Sequence, residues 1–147
     1  IEKRIREPVS LKLGVLSNSK NVRKGDSKDD NAAIGAKHEF GWYSPELNKR
    51  LPKRSFLKMP LTLAFPEALK QMKWLEKQDI KDLYNGDSGL RFYKKIAMLA
   101  LRTIDVAFQT GGFGRWKPSN MAFKKNHQTL IETSQLRRSI WYKVVKK

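Results

Sequence analysis

The chain has 147 residues, with 31 Lys and Arg against 14 Asp and Glu, and it contains no cysteine. This length fits a single domain over residues 1–147, and the lack of cysteine excludes disulfides and thiolate metal sites. No apolar run approaches the ~20 residues that span a bilayer, so no membrane partner is expected. The net charge of +17 favours a polyanionic partner, either nucleic acid or an acidic protein surface. The first residues carry neither Met nor the apolar segment of a signal peptide, which leaves open whether residues precede Ile1.

Alternating apolar residues predict a half-buried strand over residues 9–16. The polar segment at residues 18–30 has almost nothing to bury and is predicted to be a mobile loop. Such a loop could become ordered only against a partner. The apolar face of the strand consists of Val9, Leu11, Leu13 and Val15.

A short helix is predicted over residues 31–38, because Asp29 or Asp30 can cap its first turn and Gly41 can stop it.

The next segment, residues 42–54, is predicted to be irregular and basic, because Pro45 and Pro52 oppose regular strand pairing. Phe56 and Leu57 are then predicted to anchor the chain in the core.

Two main helices follow in the sequence pattern. The first begins near Pro66, which suits a first helical turn, and Leu69, Met72 and Leu75 recur at helical spacing. The second covers residues 90–109, and its apolar surface is wide enough to be buried on more than one side.

The second helix is predicted to stop at Gly111 and Gly112. A final strand is predicted over residues 138–145, with large apolar groups on both faces, so we expect the helices or a neighbouring subunit to cover both. The elements together predict an α+β fold, in which a small antiparallel sheet packs against two main helices and carries long basic loops.

His38-Glu39 resembles the start of a zinc-protease motif, but that motif needs a second histidine four residues on, where this chain has Trp42. The other histidine, His127, lies in a basic linker. Two isolated histidines and no cysteine predict that the chain binds no transition metal.

Gly111–Gly114 follows a helix instead of opening one, so it is predicted to be a helix stop and loop and not a phosphate cradle. Ser134 and Ser139 lack the glycine-flanked turn of a nucleophile. No pair of carboxylates is placed for acid–base work. The chain is therefore predicted to have no catalytic residues and no cofactor, and a hydrolase is a poor third option.

Basic residues fall into two clusters with aromatic residues interleaved, which makes non-specific, salt-sensitive contact with nucleic acid chemically feasible. The alternative is that the rings pack a loop-rich surface and the charges are solvated. The first cluster is Lys49, Arg50, Lys53, Arg54 and Lys58, and the second is Arg115, Lys117, Lys124, Lys125, Arg137 and Arg138. The aromatic residues are Trp42, Tyr43, Trp116 and Phe123.

Five blocks occur in a fixed order, at residues 13–16, 36–41, 51–57, 111–118 and 130–140. They read Leu-Gly-Val-Leu, Ala-Lys-His-Glu-Phe-Gly, Leu-Pro-Lys-Arg-Ser-Phe-Leu, Gly-Gly with Trp-x-Pro, and Leu-Ile-Glu-Thr-Ser-Gln-Leu-Arg-Arg-Ser-Ile. The ordered set resembles the phage virion-morphogenesis family, which comprises the tail-completion and head–tail joining proteins of Mu-like and related tailed phages. The resemblance spans roughly residues 9–145. Ser55 stands where the family often has Pro, and Ser134 where it commonly has Gly.

The resemblance implies a structural virion protein without enzymatic activity, located in the neck or tail and assembled in the host cytoplasm. It also implies a ring of copies, sixfold by the resemblance, that caps the tail and joins it to the head. The implied partners are other copies of the chain, head connector or adaptor proteins, tail tube or tail terminator proteins, and genomic DNA passing non-specifically through the lumen. The main alternative is a non-specific nucleic-acid-binding basic protein.

The residues that carry the family motif are His38, Glu39, Phe40, Gly41, Pro52, Phe56, Leu57, Trp116, Pro118, Leu136, Arg137, Ser139 and Ile140. The residues hypothesised to face DNA are Lys49, Arg50, Lys53, Arg54, Arg137 and Arg138.

Overall fold

The computed structural model describes residues 9–15, 30–46, 48–72, 77–85, 90–117 and 135–146. The predicted mobile loop, apart from Asp30, and Pro118 lie outside these residues. The elements, in chain order, are β1 (Val9–Val15), α1 (Asn31–Phe40), β2 (Trp42–Ser44), β3 (Lys49–Leu51), α2 (Lys58–Leu63), α3 (Phe65–Gln71), α4 (Lys77–Tyr84), α5 (Leu90–Gln109), α6 (Gln135–Arg138) and β4 (Ile140–Lys146). The predicted α+β class is confirmed.

The first and last strands form an antiparallel pair, in which Val15 lies opposite Ile140 and Leu13 opposite Tyr142. Leu13 and Val15 pack against the core from this inner face, as the alternation predicts. On the outer face Lys12 lies directly opposite Lys143. Lys12, Lys143 and Trp141 are exposed on this face, so the expectation that a neighbouring subunit covers it stays a prediction.

The last strand begins two residues later than predicted. Arg138 belongs to the short helix α6, and both the backbone N–H and the hydroxyl of Ser139 donate to the Leu136 carbonyl, at 3.1 and 2.6 Å. These two bonds turn the chain before Ile140 enters β4.

Helix α1 begins where the sequence predicts and runs two residues further than residue 38, up to the predicted stop at Gly41. The Asp30 carboxylate accepts a hydrogen bond from the Ala33 N–H at 2.8 Å, and Gly41 ends the helix with a φ of +79°. The buried face of α1 repeats every four residues, through Asn31, Gly35 and Glu39. This face is what brings Glu39 into the interior.

The irregular segment predicted after α1 is instead a hairpin. Strands β2 and β3 pair antiparallel, with Tyr43 opposite Arg50, and the Tyr43 hydroxyl donates to the Asn48 side chain across the turn. The prediction was wrong because Pro45 lies in the turn and Pro52 follows β3. Neither proline therefore occupies a position in the ladder.

The first main helix is also shorter than predicted. Pro66 lies in the first turn of α3 as expected, but the helix ends at Gln71. Met72 has extended backbone with ψ of 134°, and its N–H closes a tightened last turn on the Leu69 carbonyl at 3.3 Å. The position expected for Leu75 lies outside the described residues.

Helix α5 has the predicted bounds, 90–109, and supplies the centre of the core. Gly111 and Gly112 follow it with φ of +62° and +68°, and the Gly112 N–H donates to the Ala107 carbonyl at 2.6 Å. The buried apolar core consists of Phe56, Ile104, Ala107, Phe108, Trp116, Leu136 and Ile140.

Among the described helices, none combines the length and apolar character needed to cross a membrane.

Candidate functional site

The Glu39 side chain, 7% exposed, organises a buried junction between distant segments. Its carboxylate accepts hydrogen bonds from the Ser55 hydroxyl at 2.7 Å and from three consecutive backbone N–H groups at 2.8–3.0 Å. Those N–H groups belong to Phe56, Leu57 and Lys58, where α2 begins. The first N–H groups of a helix lack intrahelical partners, and α2 has no side-chain cap at its own N-cap residue. Glu39 therefore caps α2 from another helix, at the end where negative charge is favourable.

The same geometry decides what Glu39 can do chemically. A carboxylate offers about four acceptor positions, and here four donors are directed at it. A general base needs a lone pair within reach of a substrate proton. Glu39 is thus placed as a structural cap.

Ser55 links this carboxylate to two other segments. Its hydroxyl donates to Glu39 and accepts from the Met59 N–H at 2.9 Å, while its carbonyl accepts from the Trp116 indole at 3.2 Å. A proline at position 55 would offer no hydroxyl for either side-chain bond.

Trp116 reaches the junction through the glycine-rich loop after α5. Its ring packs edge-on against Phe108, with centroids 5.6 Å apart, and Phe108 also contacts Phe56 at 5.6 Å. A Cβ added at Gly112 would lie 2.4 Å from the Trp116 ring, so only glycine fits beside it. Because Trp116 is buried, it cannot act as the base-stacking platform that the sequence left open.

Arg54 is also interior. It is 8% exposed, and its Nε and Nη2 atoms donate to the Lys117 carbonyl at 3.1 and 3.0 Å. Its backbone N–H donates to the His38 carbonyl at 2.7 Å. Burial lowers the pKa of the Arg54 guanidinium. The hypothesis that Arg54 faces DNA is therefore wrong for this fold, because its guanidinium holds the loop after Trp116.

Arg137 is engaged as well. Its guanidinium makes two parallel hydrogen bonds to the Asp105 carboxylate on α5. The hydrogen bonds that Arg137 donates to Asp105 raise the pKa of the Arg137 guanidinium. Arg138, the next residue, is exposed. Of these two residues hypothesised to face DNA, Arg138 is the one placed for an external partner.

The structure brings six of the thirteen motif residues together. Leu136 approaches the junction from α6, where a Cβ on Gly35 would lie 3.2 Å from its Cδ1 atom. Ile140 joins the same core, and Pro52 is half-buried. Phe40 points away from the junction, because its side chain is 75% exposed at the end of α1. The motif residues that meet in or against the junction are Glu39, Phe56, Leu57, Trp116, Leu136 and Ile140.

The two predicted basic clusters meet at the surface over this junction. Lys53 and Lys58 from the first cluster and Arg115 from the second line a cleft of about 430 Å³. Lys49 and Arg50 lie on the exposed strand β3. This surface concentrates positive charge, and none of the described residues that line the cleft carries a carboxylate. In the part of the chain that the structure describes, there is no group of three or more His, Cys, Asp or Glu residues that could hold a metal ion.

Sequence reasoning noticed Glu39 for its position beside His38 and missed its role as a cap. Its partners are 16–19 residues away, beyond any local capping pattern. It also missed Asp105, which a search for a carboxylate on the apolar helix α5 would have found.

Comparisons of the chain with protein-family models, with curated proteins and with solved structures find no match.

Proposed function

We propose that the chain is a structural protein of a tailed-phage virion, a tail-completion or neck subunit. In this proposal copies form a ring, sixfold by the resemblance, that caps the tail and joins it to the head connector. The observation that carries the proposal is that motif blocks far apart in sequence converge on one buried junction. Glu39 caps the segment after Ser55, Trp116 donates to Ser55, and Leu136 packs on Gly35. Because these blocks contact one another in the fold, we interpret the ordered motifs as one family pattern.

Exposed apolar side chains support self-association. Phe40, Trp42 and Tyr43 lie exposed at the end of α1 and on the hairpin, and Ile80 and Tyr84 are exposed on α4. A ring built head to tail needs two different surfaces on each subunit. Two separate apolar surfaces on one small chain suit that requirement, because exposed apolar groups are stabilised by burial against another copy.

The basic surface supports passage of DNA through such a ring. Lys49, Arg50 and Lys53 are exposed, and Arg115 joins Lys53 across the cleft. Contacts between these cations and phosphates carry no sequence information, as transit of a whole genome requires. We propose that Lys49, Arg50, Lys53, Arg115 and Arg138 line the lumen. Arg54 is left out because it is buried, and Arg137 because its guanidinium is bonded to Asp105.

Native mass spectrometry and negative-stain electron microscopy of the purified chain test the ring. The proposal predicts a closed oligomer that persists on dilution into the low micromolar range and is lost in Tyr43→Glu. The matched control is Val106→Glu, which places the same charge at an exposed apolar position on α5. A chain that stays monomeric at every concentration would count against a self-assembling ring.

A second function, non-specific nucleic-acid binding by a monomer or dimer, is favoured by the cleft where Lys53, Lys58 and Arg115 meet. Such a protein should bind duplex DNA in free solution and lose about 10³–10⁵ in affinity between 50 and 200 mM salt, if it makes ~6–10 phosphate contacts. A ring subunit needs no measurable affinity outside the particle. Strong, salt-sensitive binding by a species that never forms rings would favour this second function.

A further inference from the structure

A long open groove runs beside α5, on the side formed by α6 and the start of β4. Its volume is about 1010 Å³, and its lining extends along α5 from Arg91 to Asp105. At a rise of 1.5 Å per residue, this stretch of helix is about 21 Å long. The groove therefore has the length of a helical segment of about four turns.

The floor of the groove is apolar. Met98 and Trp141 are each 52% exposed, although both belong to elements that otherwise pack into the core. Soluble proteins rarely leave contiguous apolar surface uncovered unless it contacts a partner. The apolar lining residues include Met72, Met98, Leu99, Leu101, Ile140 and Trp141.

The walls of the groove are strongly cationic. Among the described residues that line it, six are basic and one, Asp105, carries a carboxylate. That carboxylate is already held by Arg137. Lys94, Arg102 and Arg138 are exposed, so they place positive charge around an apolar floor. The basic residues are Arg91, Lys94, Lys95, Arg102, Arg137 and Arg138.

We propose that this groove binds an acidic amphipathic helix of another protein. The apolar side of that helix packs on Met98 and Trp141, and its carboxylates lie against Lys94 and Arg102. Recognition of this kind combines burial of apolar anchors with complementary charge at the edges. The proposal depends only on the groove and does not rest on the phage assignment.

Charge argues against the other occupants. None of the described helices contains more Asp and Glu than Lys and Arg, so a second copy of this chain offers no acidic helix to the groove. The chain's own residues 118–134 contain Lys124 and Lys125 against a single carboxylate, Glu132, so their charge has the same sign as the walls. The phosphates of a nucleic acid would complement the basic side chains of the walls. The aliphatic floor around Met98 would, however, remain exposed to water.

Fluorescence anisotropy with the full chain tests the proposal. The probe is a labelled synthetic peptide of about 15 residues, built from Leu and Glu in the helical 3.6-residue period, which spans about 22 Å as a helix. The controls are a peptide of the same composition in scrambled order, a peptide with Lys in place of Glu, and a single-stranded DNA oligonucleotide. We expect the amphipathic acidic peptide to bind at least about tenfold more tightly than either control peptide, a difference typical of one well-packed anchor.

Two pairs of variants test whether the peptide binds in the groove. We expect Met98→Glu to weaken binding of the peptide by about tenfold or more, while Val106→Glu, on the same helix but outside the lining, leaves it unchanged. We expect Lys94→Glu to weaken it further than Lys81→Glu, which puts the same charge change on α4. Circular dichroism confirms that each variant is folded.

Three results would overturn the proposal. The first is absence of binding, and the second is equal binding of the scrambled acidic peptide, which would indicate attraction by net charge alone. The third is an equal effect of Met98→Glu and Val106→Glu. If the DNA oligonucleotide displaces the peptide and Met98→Glu leaves DNA binding intact, the cationic walls serve nucleic acid instead. None of these results bears on whether the chain forms a ring.

Discussion

Replacing Glu39 by Gln removes a buried charge while keeping the shape of the side chain. The amide retains one acceptor oxygen and directs an NH₂ group at donors that formerly shared the other oxygen. Each carboxylate oxygen of Glu39 accepts two hydrogen bonds, one pair from Ser55 and Lys58 and the other from Phe56 and Leu57. The substitution therefore leaves one or two backbone N–H groups without an acceptor, because the Ser55 hydroxyl can rotate to accept from the amide whereas the N–H groups of Phe56, Leu57 and Lys58 cannot.

The expected loss follows from the burial of these donors. A buried donor left without its acceptor costs about 1–3 kcal/mol, and the remaining hydrogen bonds weaken because their acceptor is no longer charged, so Glu39→Gln should lower the free energy of unfolding by about 2–4 kcal/mol. For a chain of this size, that corresponds to a fall in Tm of roughly 5–15 °C. Urea denaturation followed by circular dichroism measures the change, and an unaltered m-value shows that the same surface is exposed on unfolding.

The control is Glu67→Gln on α3. Its carboxylate is well exposed and lies 3.6 Å from the Lys70 ammonium, a surface pair that contributes little. The same chemical change should therefore shift stability by less than about 0.5 kcal/mol. If Glu39→Gln and Glu67→Gln behaved alike, the cap of α2 by Glu39 would be refuted. A double-mutant cycle of Glu39→Gln with Ser55→Ala should show a coupling of about 0.5–2 kcal/mol, because the two side chains share a bond.

Three further predictions concern other parts of the molecule. Gly112→Ala should destabilise the chain by more than about 2 kcal/mol in the same denaturation assay, because the new methyl group meets Trp116 and the backbone has positive φ; a neutral effect would place the indole elsewhere. Asp105→Asn should cost at most about 1 kcal/mol by thermal denaturation, because its pair with Arg137 is half-exposed and screened; a loss above about 3 kcal/mol would indicate a buried pair. Lys53→Glu should weaken binding of duplex DNA and reduce the slope of log K against log salt by about one, measured by anisotropy titration; an unchanged slope would exclude Lys53 from phosphate contact.

The elements that sequence reasoning placed correctly carry their signals locally. Helix α5 has a long apolar stripe, Asp30 accepts from a backbone N–H three residues on, and Gly41 and Gly112 stop helices through positive φ. Such signals are complete within a few residues of the chain. The helices and helix ends that these signals predict therefore form wherever tertiary contacts do not oppose them.

What the sequence did not predict depends on contacts between distant segments. Nothing local distinguishes Arg54 from Lys53, yet the carbonyl of Lys117 holds Arg54 in the interior while Lys53 stays exposed. Glu39 acts on N–H groups in another helix. The groove beside α5 combines Met98 with Trp141, which are brought together only by the fold. The α+β class could thus be predicted, while the junction and the groove could not.

The central proposal, a tail-completion or neck protein, is tested most directly by deleting the gene from the genome that encodes the chain and imaging the lysate by electron microscopy. The account predicts DNA-filled heads beside unjoined or abnormally ended tails. Supplying the chain from a plasmid should restore complete particles, and Val106→Glu should restore them as well. Normal, joined particles without the protein would contradict the account.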